Sequence, residues 1–180
     1  TDFMQRYPEV RVSLTATDRF VDLIDEGVDV AIRFRASAME DSSLVARALG
    51  ESHGFLVTSP ACLDKNGRPA QPADLTRLTS LVKSRNDAAY SWSLTSTQGQ
   101  TSLIAYHPIL ESDDWLVLKQ AALAGLGVVA MPSTLCKLEI RAGALEIVLP
   151  EWRLPSTTLH IIYTSRRGLI PAVRAFIDFA

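Results

Sequence analysis

The spacing of apolar residues changes twice near the start of the 180-residue chain, and this restricts the fold more than any other feature. Val10, Val12 and Leu14 alternate with polar residues, which is typical of a strand with one buried face. Residues 18–26 have helical spacing, and 28–34 are again mostly apolar and strand-like. Because only about a dozen residues separate the strands, a parallel crossover is expected, and it predicts an α/β layer.

The segment between these two strands carries a helix signal at each end. Asp18 stands where a capping side chain is favoured, and Gly27 stands where the chain needs a left-handed residue after the last turn. Phe20, Leu23 and Ile24 would share the buried face. A capped amphipathic helix is therefore predicted.

The rest of the chain continues to alternate strands and helices. Strands are predicted at 55–58, 80–83, 91–95, 128–131, 145–149 and 159–164, with a hairpin-like loop at 95–101. Helices are predicted after Ser59-Pro60, over 113–124 behind a Ser112 cap, before Gly143, and from Pro171 onward with Val173, Phe176 and Ile177 on one face. Polar or proline-containing passages lie near 51–54 and 152–157. They predict two lobes, with 1–53 plus 155–180 in lobe I and 54–154 in lobe II.

The charge balance excludes one function for the chain as given. Its 18 Lys and Arg residues and 20 Asp and Glu residues give a formal net charge of −2, and no basic run is present. Proteins that hold a nucleic-acid backbone through their own charge concentrate Lys and Arg on one surface. Any contact with DNA is therefore expected from another segment.

The sequence contains no pattern for a membrane or for export. Its apolar stretches are shorter than the roughly 20 residues of a spanning helix, and its first residues lack a signal-peptide core. Cys62 and Cys136 lie in apolar contexts without CxxC spacing, so a reduced pair is expected. These observations predict a cytoplasmic protein with no membrane partner.

A set of segments spread over nearly the whole chain forms a more specific pattern. They are RYPEV at 6–10, LIDEGVDVAIR at 23–33, SLVARALG at 43–50, TSPACL at 58–63, AALAGLG at 121–127 continuing to Pro132, and VRAFIDF at 173–179. Each alone occurs widely. Together, in this order and spacing, they resemble the effector-binding domain of LysR-type transcriptional regulators.

The resemblance implies a periplasmic-binding-protein-like fold of type 2. In this fold two α/β lobes are joined by two crossover strands, with a small-molecule cleft between the lobes. It also implies a homodimer or higher homo-oligomer, in which the helices predicted at 18–26 and 113–124 would take part. Effector occupancy is then expected to change lobe and dimer geometry.

Compared with the family pattern, the chain lacks the winged helix-turn-helix, the linker helix and the first strand of lobe I. The resemblance therefore implies that DNA is contacted only through an absent N-terminal domain.

Ligands of open α/β sheets bind beyond the carboxyl ends of strands, and this rule selects the candidate effector-binding residues. They are Thr17, Asp18, Arg33, Phe34, Ser59, Ser112, Asp113 and Pro132. Thr17 matches the family position at the mouth of the cleft, which often hydrogen-bonds the effector. Arg33 could offer a two-pronged fork to a carboxylate effector, and Phe34 could supply a wall.

Most of these candidates also have a purely structural interpretation. Thr17 could be a turn residue, Arg33 could form an inter-lobe salt bridge, and Phe34 could belong to the core. Three candidates at helix starts could serve as helix caps: Asp18, Ser59 and Ser112.

No pattern for a metal, a cofactor or catalysis is present in the sequence. His53, His107 and His160 have unrelated spacings, and GxSxG is missing. GLGVVA at 125–130 follows a predicted helix and precedes a strand, the reverse of a dinucleotide fingerprint. A sensor without catalytic activity is predicted. The alternatives are a solute-binding protein of a transporter and a two-lobe enzyme of similar fold.

Overall fold

The computed structural model describes residues 1–17, 19, 21–35, 44–84, 90–164 and 170–180. In this part the helices are α1 (Asp2–Arg6), α2 (Pro60–Asn66), α3 (Trp115–Leu123), α4 (Ser133–Arg141) and α5 (Pro171–Phe179), with a 3₁₀ helix at Pro72–Arg77. The strands are β1 (Val30–Arg35), β2 (Leu44–Ser52), β3 (Gly54–Thr58), β4 (Ser80–Lys83), β5 (Ser91–Ser96), β6 (Thr101–Ala105), β7 (Pro108–Ser112), β8 (Val128–Pro132), β9 (Glu146–Ile147), β10 (Trp152–Arg153) and β11 (Thr157–Thr164). No described helix is long and apolar enough to cross a bilayer.

The chain divides into two compact units. Unit 1 consists of Thr1–Glu51 and Thr157–Ala180, and unit 2 is the continuous segment Ser52–Ser156. Unit 1 is therefore built from two stretches that are distant in sequence.

Unit 1 contains a three-stranded sheet in the order β1-β11-β2, with β1 antiparallel to β11. The predicted C-terminal helix is confirmed as α5, which begins at Pro171 and buries Val173 and Ile177 against Ile161 of the sheet. The ring of Phe3, on α1, lies 5.1 Å from the ring of Phe176. The first and last helices thus share one aromatic cluster.

The strand predicted at 10–14 is not observed. Residues 10–17 belong to no strand, and Leu14 is 88% exposed. A strand needs a hydrogen-bonding partner as well as alternating side chains, and no described residue gives 10–14 one. The predicted parallel crossover is therefore wrong as well, because β1 pairs antiparallel with β11.

The helix predicted to follow that strand is replaced by a single turn over 23–27. The turn ends at Gly27, whose φ of +64° confirms the predicted left-handed residue. Asp22 Oδ1 accepts hydrogen bonds from two backbone N–H groups of the turn, at 2.9 and 3.1 Å. Asp22 has the capping role predicted for Asp18, which lies outside the described residues, as does Phe20.

Unit 2 is built on a five-stranded sheet in the order β7-β4-β8-β3-β9. β4 runs parallel to both β7 and β8, whereas β3 runs antiparallel to β8 and β9. The carboxyl ends of β7, β4 and β8 therefore meet at one edge of the sheet, and that of β3 lies at the opposite edge. A smaller sheet, β10-β5-β6, contains the hairpin predicted around 95–101.

Two apolar clusters fill unit 2. Neighbouring strand residues such as Leu56 and Val57 belong to different clusters, as the two-residue period of a strand requires. One cluster contains Trp92 and the residues around the smaller sheet. The other contains Leu118 of α3 and Cys136 of α4, so α3 and α4 pack on the same side of the sheet.

Most predicted elements of unit 2 are confirmed, with shifted bounds. β4 covers the predicted 80–83, and α2 begins at Pro60 behind its Ser59 cap. The extended segment predicted at 145–149 is a strand only at Glu146–Ile147. The helix predicted over 113–124 is α3, which begins later, at Trp115.

We expect Leu118→Ala to lower the free energy of unfolding by about 2–5 kcal/mol, because a fully buried Leu loses its contacts and leaves a cavity. Leu116→Ala, on the same helix, is the matched control. Its side chain is 59% exposed, so a loss within about 0.5 kcal/mol is expected. Urea unfolding followed by circular dichroism measures both. Equal losses would contradict the core assignment.

Candidate functional site

Three parallel strands of unit 2 end together, and two helices begin beside them. β4 ends at Lys83 and β7 at Ser112, with these two residues paired in register, and β8 ends at Pro132. The loop residue Asp113 follows β7, and α3 and α4 begin directly after these strand ends. We name Lys83, Ser112, Asp113 and Pro132 the carboxyl edge of unit 2.

The start of α3 is held by two successive side-chain hydrogen bonds. The Ser112 hydroxyl accepts from the backbone N–H of Asp114 at 3.1 Å, and Asp114 Oδ1 accepts from the backbone N–H of Leu116 at 2.7 Å. Asp114 is therefore the N-cap. The prediction that Ser112 caps this helix is wrong, because the N-cap lies two residues later and Ser112 stabilises the turn that leads into it.

Lys83 is a carboxyl-edge residue that the sequence analysis did not select. Its Nζ donates to the carbonyl oxygen of Asp113 at 2.6 Å and lies 5.6 Å from the ring centre of Trp115. A cation at this distance from an indole face is stabilised by the ring. The rule of strand carboxyl ends, applied to the predicted strand at 80–83, would have found it.

The start of α4 differs from that of α3. Its N-cap is Pro132, which has no polar side chain to accept from the first-turn N–H groups. The backbone N–H of Ser133 donates to the carbonyl oxygen of His53 at 2.9 Å. The amino end of a helix carries partial positive charge, so an anion placed here would be stabilised.

Ser59 lies away from the carboxyl edge. It follows β3, and because β3 runs against β8, Ser59 lies at the opposite edge of the sheet. Its side chain is 4% exposed, and its hydroxyl accepts from the backbone N–H of Cys62 as the cap of α2. The capping role is confirmed for Ser59.

The remaining candidates belong to unit 1. The Thr17 hydroxyl is exposed and accepts from the backbone N–H of Arg19 at 3.3 Å. Arg33, on β1, is half-buried, and its Nη2 donates to the carbonyl oxygen of Val21 at 2.8 Å. Phe34 is 52% exposed, which excludes the core interpretation. Part of the Arg33 fork is thus committed to the backbone of its own unit.

An exposed ion pair lies near Arg33. Arg19 Nη1 donates to Glu26 Oε1 at 2.7 Å, and the second arm of the guanidinium contacts the other carboxylate oxygen. This pairing holds the pKa of Glu26 below its usual range, and the charge of Arg33 adds to the effect. The positive charge of Arg33 is therefore partly balanced within unit 1.

A second ion pair joins α3 to α4. Lys119 Nζ donates to Glu139 Oε1 at 2.7 Å and to the carbonyl oxygen of Leu135 at 3.3 Å. The ammonium lowers the pKa of Glu139 because it stabilises the charged carboxylate. The two helices that begin at the carboxyl edge are thus connected by side chains.

Neither cysteine forms a disulfide, and no metal-ligand cluster occurs among the described residues. Cys62 and Cys136 are buried free thiols. Burial raises the pKa of Cys136, and the charge of Glu139 raises it further. Within the described ranges, no group of three or more His, Cys, Asp or Glu side chains could hold a metal ion.

Comparison with known proteins identifies the family. The chain matches the family described as LysR substrate binding domain over residues 1–180. It is 31% identical over 167 residues to an uncharacterized HTH-type transcriptional regulator of Haemophilus influenzae, covering 93% of this chain and 57% of that protein. It is 31% identical over 176 residues to the HTH-type transcriptional regulator PtxR of Pseudomonas aeruginosa, covering 98% of this chain and 55% of that protein.

The solved regulatory domain of AphB from Vibrio vulnificus has the same fold. It superposes with a TM-score of 0.83 at 29% identity, covering 99% of this chain and 86% of that one. The chain therefore belongs to the LysR substrate-binding domain family and has its periplasmic-binding-protein-like α/β fold. This confirms the resemblance found in the sequence. The chain spans slightly more than half the length of the curated relatives it matches.

Glu139→Gln should make the stability less sensitive to acid. The folded-state pKa of Glu139 lies below the unfolded value of about 4.3, so the ion pair contributes fully above that pH. The contribution is lost as the pH falls through the lowered pKa. Urea unfolding midpoints measured between about pH 6 and pH 3 should fall less steeply for Glu139→Gln than for the wild-type chain.

Lys119→Met is the control for this pH dependence, because it removes the partner and leaves the carboxyl group. Like Glu139→Gln, it should reduce the fall of the urea midpoint between about pH 6 and pH 3. A wild-type slope in both variants would show that the ion pair does not control acid stability.

Proposed function

We propose that this chain is the effector-sensing domain of a LysR-type DNA-binding regulator, and that its effector is a small carboxylate metabolite. The proposal of a carboxylate effector is supported by the groups at the carboxyl edge of unit 2. There an ammonium group, a hydroxyl group and a helix start without a side-chain cap lie at the ends of three parallel strands.

The chemistry of the carboxyl edge favours an anion beside Lys83. Its positively charged ammonium donates to the carbonyl oxygen of Asp113 and lies 5.6 Å from the centre of the Trp115 ring. Charge-assisted hydrogen bonds to a carboxylate are roughly twice as strong as neutral ones. The amino end of α4 adds partial positive charge. A carboxylate bound here would also give the first-turn N–H groups of α4 the acceptor that the Pro132 side chain lacks.

Two further residues of the carboxyl edge would form hydrogen bonds with effector groups other than the carboxylate that binds Lys83. Ser112 has a half-buried hydroxyl that can donate to an effector oxygen while it accepts from the backbone. Asp113 has an exposed carboxylate, which would accept from a hydroxyl or ammonium group and repel a second acid. Hydroxy acids and amino acids therefore fit this edge better than simple fatty acids.

Unit 1 supplies candidates of its own. We propose that Thr17 and Phe34 contact the effector, because both side chains are exposed. Arg33 stays a candidate by its position near the carboxyl end of β1. Asp18 stays a candidate by its position in the sequence. Ser59 is not proposed as a contact, because it caps α2 at the far edge of its sheet.

DNA binding is proposed for a part of the protein outside this chain. The net charge of −2 argues against a nucleic-acid surface here, and the curated relatives are HTH-type regulators with nearly twice the matched length. We propose that the protein acts in the cytoplasm as a homodimer or higher homo-oligomer. We also propose lobe boundaries of 1–53 plus 155–180 and of 54–154, and binding without catalytic turnover. Relatives named as regulators support a sensor over a transporter component or an enzyme.

A thermal-shift screen with acetate, lactate, succinate, benzoate and glutamate tests the ligand class. A hit should then lose affinity by about 10- to 100-fold in Lys83→Met, the effect of removing one hydrogen bond from a charged group. Ser112→Ala should cost about 2- to 10-fold. Isothermal titration measures each dissociation constant.

Ser59→Ala is the matched serine control for this screen. It should lower the baseline melting temperature through the lost cap, while the dissociation constant stays unchanged. Wild-type affinity in both Lys83→Met and Ser112→Ala would remove the carboxyl edge from the binding site. Chemical conversion of the hit, followed by NMR, would favour an enzyme instead.

Thr17→Ala and Arg33→Ala test whether unit 1 takes part. Loss of one neutral hydrogen bond should weaken binding of the same hit by about 2- to 10-fold for Thr17→Ala, and loss of a charged one by more for Arg33→Ala. Unchanged constants in both variants would confine the site to unit 2.

A further inference from the structure

The Lys119–Glu139 ion pair joins α3 to α4, the two helices that begin at the carboxyl edge. Lys119 is in the middle of α3, and its ammonium makes two bonds to α4. One goes to the Glu139 carboxylate, and the other goes to the carbonyl oxygen of Leu135 in the first turn of α4. Two bonds from one cation restrict both the sliding and the rotation of α4 against α3.

Both side chains of this pair are more shielded from solvent than those of the Arg19–Glu26 pair. The Lys119 and Glu139 side chains are 23% and 21% exposed, whereas the Arg19–Glu26 pair has values of 61% and 34%. Exposed pairs are mobile and screened by salt, so they fix little. A pair that is mostly shielded on both sides keeps its geometry. It also leaves a poorly solvated charge behind when one partner is removed.

The two helices meet the carboxyl edge at their amino ends. α3 begins at Trp115, whose ring lies against the Lys83 ammonium, and α4 begins directly after Pro132. Because the Lys83 ammonium lies against Trp115 at the start of α3, a shift of α4 relative to α3 would change the distance from this ammonium to the α4 start. Both groups are proposed to bind the same carboxylate, so that distance decides whether they can act together.

We propose that Lys119 and Glu139 are positioning residues of the effector site: their ion pair holds the amino ends of α3 and α4 at the spacing that the effector carboxylate requires. Neither residue contacts the effector. This inference rests on the proposed function of the carboxyl edge. It adds that effector affinity depends on an ion pair between α3 and α4 whose residues do not contact the effector.

The test is an NMR titration of the ¹⁵N-labelled chain with lactate and, separately, with alanine, a hydroxy acid and an amino acid that each carry a single carboxylate. Lys119→Met should raise the dissociation constant by roughly 2- to 30-fold, the range for residues that tune a site without touching its ligand. Lys119→Arg retains the charge and has donors for both acceptors, so it should keep the constant near the wild-type value. Lys137→Met, an exposed lysine on α4, is the matched control and should leave it unchanged.

The same spectra separate positioning from a loss of folding. The backbone amide signals of Thr134 and Leu135 should move in unliganded Lys119→Met, while those of core residues such as Val57 stay in place. If the ion pair only stabilised the fold, Lys119→Met would lower the urea midpoint without changing affinity in the fully folded chain. There would then be no loss of affinity for Lys119→Arg to restore.

Two negative results have different meanings. If the wild-type chain binds a probe and Lys119→Met binds it equally well, the positioning role is overturned and the proposed function stands. If the wild-type chain binds neither probe and its carboxyl-edge amides do not shift, the anion site itself is overturned, and the positioning role with it.

Discussion

The direction of the strands in unit 2 determines where its chemistry can lie. β4 runs parallel to the strands on both sides, so three carboxyl ends meet and two helices begin at one edge. β3 runs the other way, which places its following helix start at the opposite edge. Lys83 and Ser112 are neighbours for this reason, and Ser59 lies at the opposite edge of the sheet. Every contact proposed for unit 2 depends on this single pattern of backbone pairing.

Much of the fold could be predicted because local chemistry dictates it. Ser59-Pro60 starts a helix, Gly27 ends a turn, and the apolar spacing from Pro171 places Val173 and Ile177 on one buried face. These are properties of neighbouring residues. The prediction failed where the outcome depends on distant partners. The alternation at 10–14 is that of a strand, but no described residue pairs with it.

The candidate site could be predicted in part for the same reason. The rule of strand ends selected Ser112, Asp113 and Pro132, which lie together at the carboxyl edge. It also selected Ser59, because sequence does not reveal whether a strand runs with or against its neighbour. Lys83 was missed although its strand was predicted. The ion pair of Lys119 could not be predicted at all, since its partner lies on another helix.

The interrupted path of unit 1 has a consequence for the order of folding. Unit 2 is one uninterrupted stretch, so all of its internal partners have been synthesised by residue 156. Unit 1 needs β11 as the middle strand of its sheet and α5 for its core, and both come from the last two dozen residues. Unit 2 can therefore assemble from its own residues alone, whereas the sheet of unit 1 stays incomplete until β11 joins it. Until β11 and α5 are in place, one edge of β1 has no strand partner and the Phe3 ring lacks its contacts with Phe176 and Phe179.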